Sequence, residues 1–267
     1  MTNIQWNELP TSNGFIVTIS EQHPYFSEHI VRGRKVLPGV AYLEIVTQAV
    51  SKLFPQFIIS SFEDGVWLRP IICDKTFCAF QVFLVISNED ILFEIKLDDM
   101  VCAHGALKQQ QSNTACFNAQ NAFRIINQAN RRIDRNAVYE AFSEMGICYG
   151  EYFQRIDYVD IYQNQALSLL SNQGSVQLGF TNLLDCAFQS GMAISIGEHT
   201  DSLMPFSFGL LHYHQLSGVF NKEIYRVITE KKSSFRTSIT ICDDQYNPLL
   251  SVYDLGVKPS LFLSQKN

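Results

Sequence analysis

The sequence predicts an α+β fold in which a curled antiparallel sheet wraps a long apolar helix, and it predicts that unit twice. Three observations carry this expectation. A strand, a strongly apolar helix and a meander of short strands follow one another over residues 1–108. A stretch rich in Gln, Asn and Ala then interrupts the pattern over residues 109–134. Similar elements, with a second long apolar helix, return over residues 135–267. Strand-rich segments around a buried helix, used twice, make a double hotdog. The expected organisation is an N-terminal hotdog (1–108), a linker (109–134) and a C-terminal hotdog (135–267), together one domain. The halves share no sequence identity, so the repeat is one of architecture.

In the first half, Gly14 to Ile19 alternates as a strand does. Pro24 biases His23 toward extended geometry, so His23 to Phe26 is not expected to start a helix. Pro38 and Gly39 open a helix that runs to Phe54, since a proline at the first helical position loses no hydrogen bond. Tyr42, Ile45, Val46, Ala49 and Leu53 fall on one face of it. Strands are then expected at Phe57–Phe62, Gly65–Ile72, Phe77–Ile86, Ile91–Leu97 and Met100–Leu107. The linker carries a short helix near Ala122–Ile126.

In the second half, Asn136–Met145 is expected to be helical and Phe153–Ile161 and Ala166–Leu170 to be strands. Thr181–Ile196 places Leu184, Phe188, Met192 and Ile196 on one helical face. Strands follow at Gly209–Tyr213, Glu223–Thr229, Ser234–Cys242 and Leu249–Leu255.

Composition excludes several classes. With 46% hydrophobic and 17% charged residues the chain reads as globular, not disordered. A net charge of −6 argues against a nucleic-acid partner, which needs a basic face. The clusters Arg32, Arg34, Lys35 and Arg131, Arg132, Arg135 read first as solvated surface. The seven Cys include no Cys-x-x-Cys pair, which argues against zinc and for reduced thiols in a cytoplasmic protein. The N-terminal stretch lacks an apolar signal core, and no run approaches a membrane span. His212 and His214 point to one face of a strand, but no third ligand accompanies them, and no metal site is expected.

Four short motifs carry the chemistry. His29, Gly33 and Pro38 form His-x3-Gly-x4-Pro. Gly146-Ile147-Cys148-Tyr149-Gly150-Glu151-Tyr152-Phe153 approximates Gly-Tyr-x-Tyr-Gly-x-x-Phe, and Leu203-Met204-Pro205 approximates a Leu-Pro element. Asp185 and Gln189 form Asp-x3-Gln. This ordered set spans most of the chain and resembles the dehydratase domain of modular polyketide synthases. The chain departs from that pattern at Ile147 (usually Tyr), Glu151 (often Pro) and Met204, which interrupts the Leu-Pro pair. None of these departures removes a catalytic group.

The resemblance implies elimination of water from a β-hydroxyacyl thioester, giving an α,β-unsaturated one. It assigns His29 as the base for the α-proton. An imidazole is largely neutral near pH 7, and desolvation favours that form further. It assigns Asp185 as the acid for the departing hydroxyl, and burial beside Leu183, Leu184 and Phe188 would keep that carboxyl protonated. Asn182 or Thr181 would then cap the helix. Gln189, four residues on, either orients Asp185 or binds the leaving hydroxyl. Gly33 is expected to let backbone approach the thioester. An amide at the start of the Pro38 helix, or near Gly39, is expected to donate to the carbonyl oxygen as enolate charge develops. Tyr149 and Gly150 either support the tunnel or pack behind it. His23 reads as structural or capping.

The resemblance further implies no cofactor beyond the phosphopantetheine that tethers the substrate. It implies an acyl carrier protein and neighbouring polyketide synthase domains as partners, and a homodimer. Acyl carriers are acidic, which makes Arg32, Arg34 and Lys35 a candidate docking patch. Alternatives are a double-bond-shifting isomerase, a pyran-forming cyclase and a non-catalytic dimerisation module. A thioester hydrolase of the same fold has a different usual signature. Variants that shift bonds or cyclise often lose the acid of the second motif, whereas Asp185 is present here.

Overall fold

The computed structural model describes residues 4–10, 12–109, 125, 127–172, 177–197, 203–215, 219–220 and 222–259. The first half holds β1 (Gln5–Glu8), β2 (Gly14–Ser20), α1 (Pro24–Ser27), β3 (His29–Val31), β4 (Arg34–Lys35) and α2 (Gly39–Leu53). It continues through β5 (Ser61–Trp67), β6 (Phe77–Ser87), β7 (Asp90–Leu97) and β8 (Met100–Lys108). The second half holds β9 (Arg131–Asp134), α3 (Arg135–Glu144), β10 (Ile147–Tyr149), β11 (Ile156–Tyr162), β12 (Gln165–Ser171) and α4 (Phe180–Ala193). It ends with β13 (Leu203–Tyr213), β14 (Ile224–Ser233), β15 (Arg236–Cys242) and β16 (Pro248–Pro259).

Thirteen of these strands form one antiparallel sheet, in the order β1-β2-β6-β7-β8-β5-β13-β16-β15-β14-β12-β11-β9. The halves meet at β5 and β13, where Phe62 pairs with Leu211 and Gly65 with Phe208. Each half wraps its own helix. On α2 the buried residues include Val40, Tyr42, Leu43, Ile45, Val46 and Ala49, and on α4 burial extends nearly all round. A helix apolar on every side belongs inside a core. The strands of the first half alternate instead, as Phe80, Val82 and Leu84 do on β6, because one sheet face covers α2 and the other meets solvent. This is the double hotdog architecture.

Four local expectations need correction. Residues 23–27 do begin a helix: α1 opens with Pro24 at its first position, and His23 stays extended as the cap, its Nδ1 accepting from the Tyr25 N–H at 3.2 Å. The proline rule constrains the residue before proline, not the proline. The strands expected at Phe57–Phe62 and Gly65–Ile72 are one strand, β5. Asp64, with φ 50°, makes a bulge between Glu63 and Val66 that looks like a break in alternation. Pro38 caps α2 from outside, and Gly39 is its first residue. The linker does not reach residue 134, because Arg131–Asp134 pairs with β11 and Arg132 forms a two-pronged ion pair with Asp160. The short helix expected near Ala122–Ile126 lies outside the described residues, apart from Ile125. That residue is buried against Leu167, Ile228 and Cys242 on the outer face of the second half.

Candidate active site

His29 is aimed by a two-residue hairpin. β3 and β4 pair Val31 with Arg34, and the turn residues Arg32 (φ 50°) and Gly33 (φ 77°) are both left-handed. Such turns match the twist of a strand pair and favour glycine. A Cβ on Gly33 would meet nothing within 4 Å, and Gly33 does not line the cavity. Gly33 makes the turn of this hairpin. The chain returns through Val36, whose carbonyl lies 2.8 Å from His29 Nδ1. A carbonyl can only accept, so Nδ1 carries the proton and Nε2 keeps its lone pair. His29 is buried. That burial pushes its pKa below the usual imidazole value, against the opposing pull of Asp185 and the Val36 carbonyl.

A strand from the other half locks this hairpin. β10 pairs with β3, setting Tyr149 opposite His29 and Ile147 opposite Val31. The Tyr149 and Phe153 rings meet the His29 imidazole edge-on at 5.5 and 5.6 Å. Gly150 donates its N–H to the Glu28 carbonyl at 2.8 Å, and a Cβ there would sit 2.6 Å from the Glu28 side chain. Only glycine fits this close crossing. Glu151 points outward, so that departure from the motif leaves the cavity wall untouched.

Asp185 comes from α4. The helix is capped at Gly179, whose N–H donates to Asn182 Oδ1 at 2.7 Å, while the Thr181 hydroxyl donates to Glu44. Neither Thr181 nor Asn182 is itself the cap. Asp185 lies beyond the first helical turn, where the helix dipole has faded. Burial raises its pKa, partly opposed by His29 and by the hydrogen bond from Gln189. Gln189 Nε2 donates to Asp185 Oδ2 at 2.8 Å and to the Phe153 carbonyl at 3.1 Å. Its Oε1 faces the Tyr139 hydroxyl at 3.2 Å. Gln189 is fully buried and does not line the cavity, so it orients Asp185 and has no proton left for a substrate hydroxyl.

His29, Tyr149, Gly39 and Asp185 line one cavity. Its remaining wall is mostly apolar, with Val31, Val40, Trp67, Phe188, Met192 and Pro205 prominent. Three residues on its wall escaped the sequence motifs. Trp67 donates its indole N–H to the Gly39 carbonyl at 2.8 Å, and a Cβ on Gly39 would press on that ring at 3.1 Å. Arg69 and Lys258 are the lining cations. Tyr139, behind Gln189, was also missed. No local pattern marks these residues, because segments far apart in the chain bring them together. The Arg32, Arg34, Lys35 cluster does not line the cavity; Arg34 pairs with Asp74 at 2.7 Å and Lys35 with Glu21 at 2.6 Å. His212 and His214 lie apart from the cavity, with His214 Nε2 2.8 Å from Ser251 Oγ. Among the described residues no cluster of three metal-type side chains occurs, and no helix is long and apolar enough to cross a membrane.

Comparison with known proteins shows the family. The family model described as "Polyketide synthase dehydratase domain" matches residues 7–97, and the one described as "Polyketide synthase dehydratase N-terminal domain" matches residues 119–260. The chain belongs to the polyketide synthase dehydratase domain family. Polyketide synthase PksN of Bacillus subtilis is 27% identical over 241 residues, 83% of this chain. Polyketide synthase ThaG of Burkholderia thailandensis is 26% identical over 243 residues, 86% of this chain. The chain spans only 4% of the length of each of these relatives. Among solved structures, the dehydratase domain from the CurF module of curacin polyketide synthase superposes with a TM-score of 0.77 at 20% identity, covering 97% of this chain and 98% of that one. A trans-AT polyketide synthase dehydratase domain from Brevibacillus brevis gives 0.78 at 19% identity, covering 96% of both. These likenesses place the fold among the double hotdog dehydratase domains.

Proposed function

We propose that this dehydratase domain removes water from a β-hydroxyacyl thioester carried by an acyl carrier protein during polyketide biosynthesis. The observation that carries the proposal is the paired shift of two buried groups facing one apolar cavity: a neutral imidazole and a carboxyl held toward its protonated form. Environments that push two titratable groups in these directions assign one as base and the other as acid.

His29 Nε2 takes the α-proton. The electron pair of that C–H bond moves into the enolate, whose oxygen is stabilised by an amide at the start of α2. The first amides of a helix, here those of Gly39 and Val40, have no acceptor within it. The pair then returns to form the Cα–Cβ double bond as the β-hydroxyl leaves with the Asp185 proton, giving water and an enoyl thioester. Passing the proton from the imidazolium to the carboxylate restores the starting state. The two groups supply both proton transfers, so the reaction calls for no cofactor beyond the carrier's phosphopantetheine. The presence of Asp185, aligned by Gln189, supports dehydration over double-bond isomerisation, pyran formation or a purely dimerising role. The proposed setting is cytoplasmic, with an acyl carrier protein and neighbouring synthase domains as partners and a homodimer as the assembly.

The test is mass spectrometry of a carrier-bound β-hydroxyacyl group. The chain should remove one water from it, and undiminished loss of water by folded His29→Ala would overturn the mechanism.

A further inference from the structure

A second cleft, with a volume of about 490 Å³, opens between α2 and the start of α4. Among the described residues it shares no wall with the reaction cavity. α2 buries Leu43, Ile45, Val46 and Val50, yet Glu44, Thr47, Gln48 and Ser51 are not buried. These four recur at i, i+3, i+4 and i+7, which makes them one stripe of the helix. All four line the cleft. The polar stripe is thus the face that the cleft leaves unpacked.

Much of the remaining wall is aromatic. Phe57, Phe180, Tyr213 and Phe220 line it, with Ile58 at the rim, 57% exposed. The Phe180 ring lies 6.4 Å from that of Tyr213 and 5.9 Å from that of Phe220, so three rings make one continuous surface. The charge beside them is a carboxylate. Glu44 Oε2 accepts from the Tyr25 hydroxyl at 2.7 Å and from the Thr181 hydroxyl, whereas Oε1 has only Gln48 Nε2 at 3.4 Å. Hydroxyls hold this carboxylate in place and do not neutralise it. Among the described residues no Lys or Arg pairs with Glu44, and none lines the cleft. His23 feels the Glu44 charge, but burial outweighs it and lowers the imidazole pKa, which leaves the ring neutral near pH 7. Burial and the Glu44 charge together push the Tyr213 pKa up, so that charge is felt in the aromatic wall.

Aromatic faces attract cations, and an ammonium ion forms its strongest hydrogen bonds with a carboxylate. We propose that this cleft binds a small organic ammonium ion, whose apolar part rests on Phe180, Tyr213 and Phe220 and whose N–H groups donate to Glu44. No group of the reaction cavity takes part, so the proposal stands apart from the dehydratase reading.

The probes are phenethylammonium and 2-phenylethanol, which carries a neutral hydroxyl on the same skeleton. In calorimetric titration of the wild-type chain at pH 7, the ammonium should bind roughly tenfold more tightly than the alcohol. Glu44→Gln keeps an acceptor for Tyr25 and Thr181 but removes the charge, and it should erase that preference. Phe220→Ala, at the half-buried edge of the wall, should weaken both probes several-fold. Methyl NMR of the wild type gives the location: Ile58 and Ile59 should shift with phenethylammonium, and Val31 and Val40 of the reaction cavity should not.

Equal affinity for the two probes, or no saturation by the ammonium below about 10 mM, overturns the inference. So does a preference that survives in folded Glu44→Gln, or methyl shifts confined to the reaction cavity. Binding that weakens as the protein is concentrated means that a second copy fills the cleft, and overturns it too. Should Glu44→Gln fail to fold, the wild-type preference, the methyl shifts and Phe220→Ala still decide the question.

Discussion

Gln189 commits both protons of its carboxamide, one to Asp185 Oδ2 at 2.8 Å and the other to the Phe153 carbonyl at 3.1 Å. The amide therefore has one orientation, and the carboxyl it holds has one as well. Replacing Gln189 with Leu takes this donor from the buried Asp185 carboxyl, at a cost of about 1–3 kcal/mol, whereas the Phe153 carbonyl keeps the Tyr139 hydroxyl at 3.3 Å and the Cys186 thiol at 3.0 Å. Turnover should fall about tenfold or more with little change in KM. Because the Gln189 hydrogen bond lowers the Asp185 pKa, the alkaline limb of the pH–rate profile should move to higher pH. A profile that stays in place would mean that Gln189 serves packing alone.

Tyr139 holds the other end of that amide, with its hydroxyl 3.2 Å from Gln189 Oε1 and accepting from the Ile156 N–H at 3.0 Å. Tyr139→Phe removes both contacts and strands a buried donor. We expect a loss of about 1–3 kcal/mol in urea unfolding. We also expect a several-fold drop in kcat, smaller than that of Gln189→Leu.

His29→Ala and Asp185→Asn should each reduce turnover by about 10²–10⁴-fold, the usual range for general acid–base groups. Both variants should bind a non-hydrolysable acyl pantetheine as wild type does, since neither group is needed to fill an apolar cavity. Loss of binding alongside turnover would point to collapse of the site.

The pH dependence has a definite sign. Asp185 raises the His29 pKa, while burial lowers it more strongly. Asp185→Asn removes the raising influence, so the His29 imidazole should titrate at a lower pH in the variant than in wild type. NMR of the ring protons reads this directly, and an upward shift would contradict the arrangement. In wild type the two groups titrate as a pair, so rate profiles report the pair and not either residue alone.

Gly33→Val places a branched side chain on a left-handed backbone, at a cost of about 1–2 kcal/mol. Since Gly33 does not line the cavity, any loss of turnover must come through the aim of the β3–β4 hairpin and of His29 on it. Thermal unfolding should show the stability loss, and kcat should fall while the apparent affinity for acyl pantetheine holds.

The sequence revealed the two long helices because α2 buries a broad apolar face and α4 is buried nearly all round. Motif spacing drew attention to His29 and Asp185, which the structure sets on one cavity wall. The sequence left open whether Gln189 orients Asp185 or binds the leaving hydroxyl, and only the hydrogen bonds show that its amide protons go to Asp185 and Phe153. The sequence did not show that Gly33 sits in a left-handed turn, because a lone glycine does not declare its φ. Trp67 and Tyr139 were silent because the partners they meet, Gly39 and Phe188 for one and Gln189 for the other, lie far away in the chain. The pairing of Tyr149 with His29 joins residues from opposite halves, and no local periodicity encodes such a partner.

The seam where β5 meets β13 makes the two halves interdependent. Cut the polypeptide after β8, and the first piece keeps its imidazole but exposes a raw sheet margin and half a vessel. The second keeps the carboxyl with nothing opposite. Neither piece holds imidazole and carboxyl together, so the vessel exists only while the weld does.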